Sequence, residues 1–242
     1  HPKIIGLGET NNSIRKINKE QNICTCGSSA FECEIWGEVL RKEIDNKYDS
    51  ITDIYTDLFQ LVHNKYGKDK IICDSSKNIK WFDEIDKQII DNKVIFLVKD
   101  VRAYTHSLVR KNRKIINKSL KHKLLDFKIT HYFFWYQKNL EILNYLKKNN
   151  VDYLLIGYDE LCFKPEKMMK MICQYLELDY KPNMTNPLNE SSHIIRGNRM
   201  RYDPDKTKNI VYDYEWIRNN NQLLSILKPI LNLNKRLVYN NS

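Results

Sequence analysis

No stretch of this 242-residue chain approaches the roughly 18 consecutive apolar residues that a membrane-spanning helix needs, so no helical membrane span is expected. No Gly-x-x-x-x-Gly-Lys-Ser/Thr loop is present, so the phosphate cradle of the nucleotide triphosphatases is missing. No internal repeat and no recognisable nucleic-acid-binding motif occurs. The 40 Lys and Arg residues are spread along the chain; a net charge of +10 suits an anionic ligand without identifying it. Nucleic acid is therefore not an expected partner. There is no recognisable secretory signal, and the first residue is His1 rather than Met. The expectation is a cytoplasmic chain truncated at its amino end, with an anchor or leader further upstream left open. The length suits one α/β domain, 1–242, with a full core.

What is present begins with Val94-Ile-Phe-Leu-Val98, an apolar run that reads as a strand buried on both faces. Lys99, Asp100 and Arg102 follow it directly. Ser107 comes eight residues after Lys99, in what reads as the first turn of a helix. Lys99, Arg102 and Ser107 thus gather at the carboxyl end of a parallel strand, where open α/β sheets bind ligands and a helix amino terminus favours anions. The pattern predicts a phosphate-binding corner, although the same residues also fit a strand end with solvated charges.

Other strand ends carry polar residues as well. Lys70-Ile-Ile-Cys-Asp74 delivers Asp74, Ser75, Ser76 and Lys77 to a carboxyl edge. His1-Pro-Lys-Ile-Ile-Gly-Leu-Gly-Glu9-Thr10 places a carboxylate after a short apolar stretch. Val151-Asp-Tyr-Leu-Leu-Ile-Gly-Tyr158-Asp-Glu160-Leu161 ends a further strand, and Pro165 starts the helix after it. Strands alternating with helices imply an α/β fold, a parallel sheet flanked by helices on both faces. The expected strands are near Ile4–Ile5, 70–74, 94–98 and 153–157. The expected helices lie near 31–40, 51–66, 81–90, 124–148 and 165–176. Phe133, Tyr136, Leu140 and Leu143 form the buried stripe of the long one, and Met169, Ile172 and Leu176 that of the last. Residues 181–192, polar and with Pro182 and Pro187, read as a loop. The run Arg110–Lys114 reads as a solvated helix end. From Asn209 onward the apolar spacing is helical.

Taken in order, these motifs resemble those of sulfotransferases that use 3′-phosphoadenosine-5′-phosphosulfate. The family pattern is an apolar strand, an Arg and a Ser eight residues later; here Lys99 stands at the Arg position and Ser107 at the Ser. Lys is a point charge and lacks the bidentate fork of Arg; Arg102 is the candidate to supply part of that geometry. The stretch ending in Glu9-Thr10 is similar to the Gly-Glu-Glu-Thr of the tyrosylprotein branch, where a Glu is the catalytic base. The segment from Asp74 to Lys77 resembles an edge where related enzymes place a carboxylate or a Lys, although the tyrosylprotein branch has its Lys where this chain has Ser75. Tyr158-Asp-Glu160-Leu161 resembles the family's Tyr-Glu-Asp-Leu. His193-Ile-Ile-Arg196-Gly197-Asn198-Arg199-Met-Arg201 resembles a late Gly-Asn loop that closes over the donor nucleotide. The likeness runs from His1 to about Tyr202. It implies a sulfotransferase fold like that of P-loop nucleotide triphosphatases. The first strand and the 5′-phosphosulfate loop would lie upstream of His1, so the chain alone is expected to bind donor weakly.

What the resemblance implies chemically is in-line transfer of a sulfuryl group to an acceptor hydroxyl, dominated by positioning and charge stabilisation. It assigns Glu9 as general base, with Asp74 the second candidate. Lys77 would stabilise the leaving oxygen. Lys99, Arg102 and Ser107 would hold the 3′-phosphate, and Arg196, Gly197, Asn198 and Arg201 the nucleotide. No metal is required. His193 and His106 are further base candidates, although a lone His is more often structural. The acceptor is left open among sugars, small alcohols or phenols, lipids and peptide tyrosines. The basic peptide-contacting residues of the tyrosylprotein branch are replaced by Asn11, Asn12 and Ser13. Two rivals stay in view: a P-loop-type nucleotide kinase, which would need magnesium, and a noncatalytic relative that binds anions through its basic surface.

Six cysteines complete the reading. Cys24, Cys26 and Cys33 form a local cluster followed by Trp36. Three thiolates can bind zinc, but no fourth ligand is evident at the usual spacing. A bridge from Cys24 or Cys26 to Cys33 is the alternative in an oxidising compartment. Similar stretches recur in bacterial-type sulfotransferases, which implies a structural insert. Cys73, Cys162 and Cys173 are expected in the core.

Overall fold

A computed structural model describes residues 1–16, 22–115, 128–185, 192–197, 210–218 and 227–241, excluding the side chains of 111–115 and 128. The chain divides into two compact units: residues 1–92 with 186–209, and residues 93–185 with 210–242.

The first unit contains β1 (Ile4–Gly8), α1 (Thr10–Arg15), α2 (Trp36–Ile44), α3 (Ile51–Tyr66), β2 (Ile71–Asp74) and α4 (Ile79–Asp83). β1 and β2 run parallel, with Ile4 opposite Ile71 and Gly8 opposite Asp74; the register shifts between Gly6 and Gly8. On its other side β1 meets the segment around Ser192, which bridges Gly6 in parallel. The core gathers Ile5 and Leu7 from β1, Trp36, Val39 and Leu40 from α2, Leu58 and Val62 from α3, and Trp81. α3 begins with a reciprocal cap: Ser50 Oγ accepts the Asp53 N–H, and the Asp53 carboxylate accepts the Ser50 N–H. Its bounds are those the periodicity predicts. α2 instead starts five residues later than expected, and the predicted 81–90 helix is a short one at 79–83 followed by turns.

The second unit contains β3 (Val94–Val98), α5 (Val101–Ile115), α6 (Lys128–Lys148), β4 (Tyr153–Gly157), α7 (Tyr158–Phe163), α8 (Pro165–Tyr175) and α9 (Lys228–Val238). β3 and β4 pair in parallel from Val94 opposite Tyr153 to Val98 opposite Gly157. Phe96, Val98, Val101, Trp135, Leu143, Leu233 and Leu237 form its core. α9 passes so close to the end of β4 that a Cβ on Gly157 would lie 1.8 Å from the Val238 carbonyl oxygen, which only glycine permits.

The α/β class with small parallel sheets flanked by helices is as expected. Several details differ. Among the described residues the strands form two separate two-stranded sheets rather than one. β3 is buried on one face only: Phe96 and Val98 are inside, while Ile95 and Leu97 are exposed. Of the expected stripe on α6, Leu143 is buried, Tyr136 and Leu140 pack half-buried against the core, and Phe133 is exposed; Tyr132, Trp135, Asn139 and Leu146 are the other buried positions. On α8 the buried positions are Met168 and Cys173. Of the three cysteines expected in the core, only Cys173 is buried; Cys162 is half-buried and Cys73 exposed. Among the described residues no helix is long and apolar enough to cross a membrane.

Candidate functional site

In the first unit, β1 ends at Gly8 and the chain turns into α1 through Glu9. The turn is tied to the end of β2. Ser75 N–H donates to the Gly8 carbonyl at 2.7 Å. Asp74 accepts four hydrogen bonds: from Thr10 N–H at 3.2 Å, from Ser76 N–H at 2.8 Å, from Ser76 Oγ at 2.6 Å, and from the Tyr55 hydroxyl. Asn11 N–H donates to Ser76 Oγ at 2.9 Å. Asp74 thus ties the start of α1 to the end of β2, with Oδ1 taking the Thr10 and Ser76 donors and Oδ2 the Tyr55 hydroxyl.

Glu9 is placed differently. Its Oε2 accepts from Asn12 Nδ2 at 2.5 Å and its Oε1 faces Lys77 Nζ at 3.2 Å. Lys77 is exposed and sits at φ 55°, the left-handed region. Burial alone would push the Glu9 carboxyl up. The Asn12 amide and the Lys77 and Lys16 ammoniums outweigh it and hold Glu9 below the ordinary glutamate range. Glu9 and Lys77, predicted from separate motifs, are therefore a contacting pair beside Asp74. The segment carrying the expected Gly-Asn loop meets the same turn: Glu9 N–H donates to the Arg196 carbonyl at 2.9 Å. The Arg196 guanidinium donates to the Lys16 carbonyl at 2.5 Å. Gly197 follows it; Asn198 and Arg201 lie outside the described residues.

In the second unit, Lys99 and Arg102 flank the junction between β3 and α5. Lys99 Nζ lies 5.1 Å from the centre of the Tyr158 ring, and its carbonyl accepts the Trp135 indole N–H at 3.0 Å. Arg102 is not a free fork. Its Nε and Nη2 donate to Asp100 Oδ1 and Oδ2 at 2.9 and 2.7 Å, and its guanidinium stacks 4.5 Å from the Trp216 ring centre. Asp100 is fully buried and also accepts from Arg102 N–H, Asn234 Nδ2 and the Tyr239 hydroxyl. Burial would raise its pKa, but the Arg102 guanidinium and the Asn234 amide hold it below the usual carboxylate range. By accepting the Arg102 N–H, Asp100 caps α5, so the helix starts at Val101. Ser107 consequently lies in the second turn rather than the first, with its Oγ toward the Tyr104 carbonyl at 3.4 Å. Nearby, Asp159 accepts from Asp100 N–H and the Tyr212 hydroxyl, and burial pushes its carboxyl up. Asp100 is the residue the sequence reading passed over; an Asp directly before a helical apolar pattern is the cap signal that marks it.

His193 turns its ring to the cysteines and to Tyr66. Its Nδ1 faces Cys33 Sγ at 3.2 Å and Cys24 Sγ at 3.8 Å, and Cys33 Sγ lies 3.5 Å from Cys24 Sγ. With Cys26 included, the four ligand atoms all lie within 4.8 Å of one another. The fourth donor missing from the local spacing is therefore supplied from 160 residues downstream.

No family model and no curated protein matches the sequence. The fold itself is that of a sulfotransferase-like α/β protein. Among solved structures it is similar to the sulfotransferase domain from the curacin biosynthetic pathway, with a TM-score of 0.50 and 17% identity, over 90% of this chain and 86% of that one.

Proposed function

We propose that residues 1–242 act as one sulfotransferase domain with a P-loop-like strand arrangement, moving a sulfuryl group from 3′-phosphoadenosine-5′-phosphosulfate to an acceptor hydroxyl. The observation that carries this reading is the fold likeness over 90% of the chain to a sulfotransferase domain. The order of the strand-end motifs supports it independently.

In this reading Glu9 takes the acceptor proton. Its carboxylate is ionised at neutral pH, and Asn12 and Lys77 fix its orientation. Lys77 is the exposed cation beside it, suited to the negative charge that grows on the leaving phosphate oxygen. Asp74 serves as the anchor of α1, not as the base, because its oxygens already accept four hydrogen bonds. Lys99 and Ser107 hold the 3′-phosphate. Arg102 contributes charge there, while Asp100 keeps its fork. Gly197, Asn198 and Arg201 hold the nucleotide, and Arg196 joins them through its backbone and remaining N–H groups. The acceptor carries a hydroxyl.

The test is calorimetry of the full-length protein with 3′-phosphoadenosine-5′-phosphate and with the analogue lacking the 3′-phosphate. Clear preference for the former is expected. Equal affinity for the two, or magnesium-dependent binding of a nucleoside triphosphate in their place, overturns the proposal.

A further inference from the structure

We propose that Cys24, Cys26, Cys33 and His193 form a structural zinc site that pins the 192–197 segment to the first unit. The proposal is independent of the sulfotransferase reading, because it rests on a cluster that the transfer chemistry does not use.

Three segments build the cluster. Cys24-Thr-Cys26-Gly27-Ser28 is a tight turn: Gly27 N–H donates to the Cys24 carbonyl at 2.9 Å, Cys24 N–H donates to the Ser28 carbonyl at 2.9 Å, and Ile23 bridges Ser29 in antiparallel sense. Gly27, at φ +94°, makes the turn possible. Cys33 comes from the approach to α2. His193 comes from the segment beside β1, where its N–H donates to the Gly6 carbonyl at 2.8 Å. Thr25 stitches that segment to the turn, donating its hydroxyl to the Ser192 carbonyl and accepting the Ile194 N–H.

The distances suit one tetrahedral ion. Zn–S bonds of about 2.3 Å and Zn–N bonds of about 2.0–2.1 Å put sulfurs about 3.8 Å apart and sulfur and nitrogen about 3.6 Å apart. The separations are 3.5 Å for Cys24–Cys33, 3.8 Å for Cys24–His193 and 3.2 Å for Cys33–His193. A disulfide would bring two sulfurs to about 2.05 Å, and all three cysteines are free thiols. A two-iron cluster spreads its ligands across two metal ions and needs more room than 4.8 Å.

The surroundings are those of a metal ligand set. His193 turns Nδ1 to the sulfurs, and its Nε2 lies 2.6 Å from the Tyr66 hydroxyl, an outer partner that fixes ring orientation and tautomer. The Trp36 indole N–H donates to the His193 carbonyl at 2.5 Å. Cys24, Cys33 and His193 are buried and Cys26 is exposed, so the ion enters from the Cys26 side. Binding releases the thiol protons and changes no oxidation state. The ion closes a loop of 160 residues between Cys33 and His193. It also holds the segment whose Arg196 carbonyl accepts the Glu9 N–H.

The test is metal analysis of the full chain purified without chelator, by elemental mass spectrometry and by native mass spectrometry. One zinc per chain is expected, falling close to zero in Cys33→Ser and His193→Ala and persisting in His193→Cys and in the control Cys73→Ser. Because the first two variants can fail to fold, the unmutated chain is also refolded with cobalt(II). Intense visible ligand-field bands and a near-ultraviolet thiolate-to-cobalt band are expected there. A folded chain free of zinc with reactive Cys24 and Cys33 thiols, a Cys24–Cys33 disulfide, an iron–sulfur chromophore, or zinc retained in both folded Cys33→Ser and His193→Ala would overturn the proposal.

Discussion

Asp100 grips the guanidinium of Arg102 with both carboxylate oxygens, at 2.9 and 2.7 Å, from a fully buried position at the head of α5. Asp100→Asn should cost about 2–3 kcal/mol, since charge-assisted hydrogen bonds are lost while Arg102, partly exposed, regains water. The pH dependence has a definite sign. The folded pKa of Asp100 lies below its ordinary value, so its stabilisation is complete above about pH 4 and disappears as pH falls through the folded value. Denaturant unfolding of the two proteins should therefore differ at neutral pH and converge in acid. A constant difference down to the lowest accessible pH would contradict this.

Glu9→Gln should lower sulfuryl transfer by about 100- to 10,000-fold, the usual contribution of a positioned base, with donor affinity nearly unchanged. Because Lys77 helps hold the Glu9 carboxyl below its ordinary range, the acid limb of the rate profile should fall below about pH 4.3. Lys77→Ala should move that limb upward. Transfer rates measured against pH with a generic hydroxyl acceptor read both effects. An unchanged limb in Lys77→Ala would remove Lys77 from the arrangement.

The sequence reveals the strands well, because short β-branched runs between polar segments fit few alternatives. α3 is readable as a helix near 51–66, and its Ser50–Asp53 cap is a signal that lies in the sequence as well. The side of α6 is harder. Consecutive aromatics from Tyr132 to Tyr136 cover every side of the helix, so Phe133 and Trp135 look equally suited to the interior. Burial of Trp135 is decided by a partner 36 residues away, the Lys99 carbonyl. Glu9 and Lys77 are each visible as strand-end polar residues, but their contact depends on the β1–β2 register and on Lys77's positive φ. The tie between Arg102 and Asp100 is local and could be read from the Asp at the cap position. That His193 faces Cys33 could not: nothing in local spacing brings together residues 160 apart.

Lys99→Ala and Ser107→Ala should each narrow the preference for a nucleotide bearing the 3′-phosphate, Lys99→Ala by roughly 10- to 100-fold. Lys99→Arg should keep or sharpen it, because the guanidinium adds a planar fork where Lys offers a point charge. Arg102→Ala should weaken binding less than Lys99→Ala but cost more stability, since Asp100 would lose its cation in a buried position. Paired titrations with and without the 3′-phosphate, alongside thermal melts, separate the two effects. A larger loss of discrimination in Arg102→Ala than in Lys99→Ala would reverse the assignment.

Gly8→Ala should destabilise the first unit by at least about 2 kcal/mol. Gly8 sits at φ +73°, where an L side chain is strained, and a Cβ there would lie 2.4 Å from the Arg196 carbonyl oxygen and 2.6 Å from Ile194 Cγ2. The backbone oxygen cannot move aside without dragging the segment that accepts the Glu9 N–H at 2.9 Å. Gly27→Ala also places alanine at a positive φ, but its Cβ would meet nothing within 4 Å. Comparing the two variants by denaturant unfolding separates the cost of the dihedral from the cost of the collision. Gly27→Ala should lose about 1 kcal/mol and Gly8→Ala clearly more. Equal losses would mean that the 194–196 segment can withdraw from β1 freely.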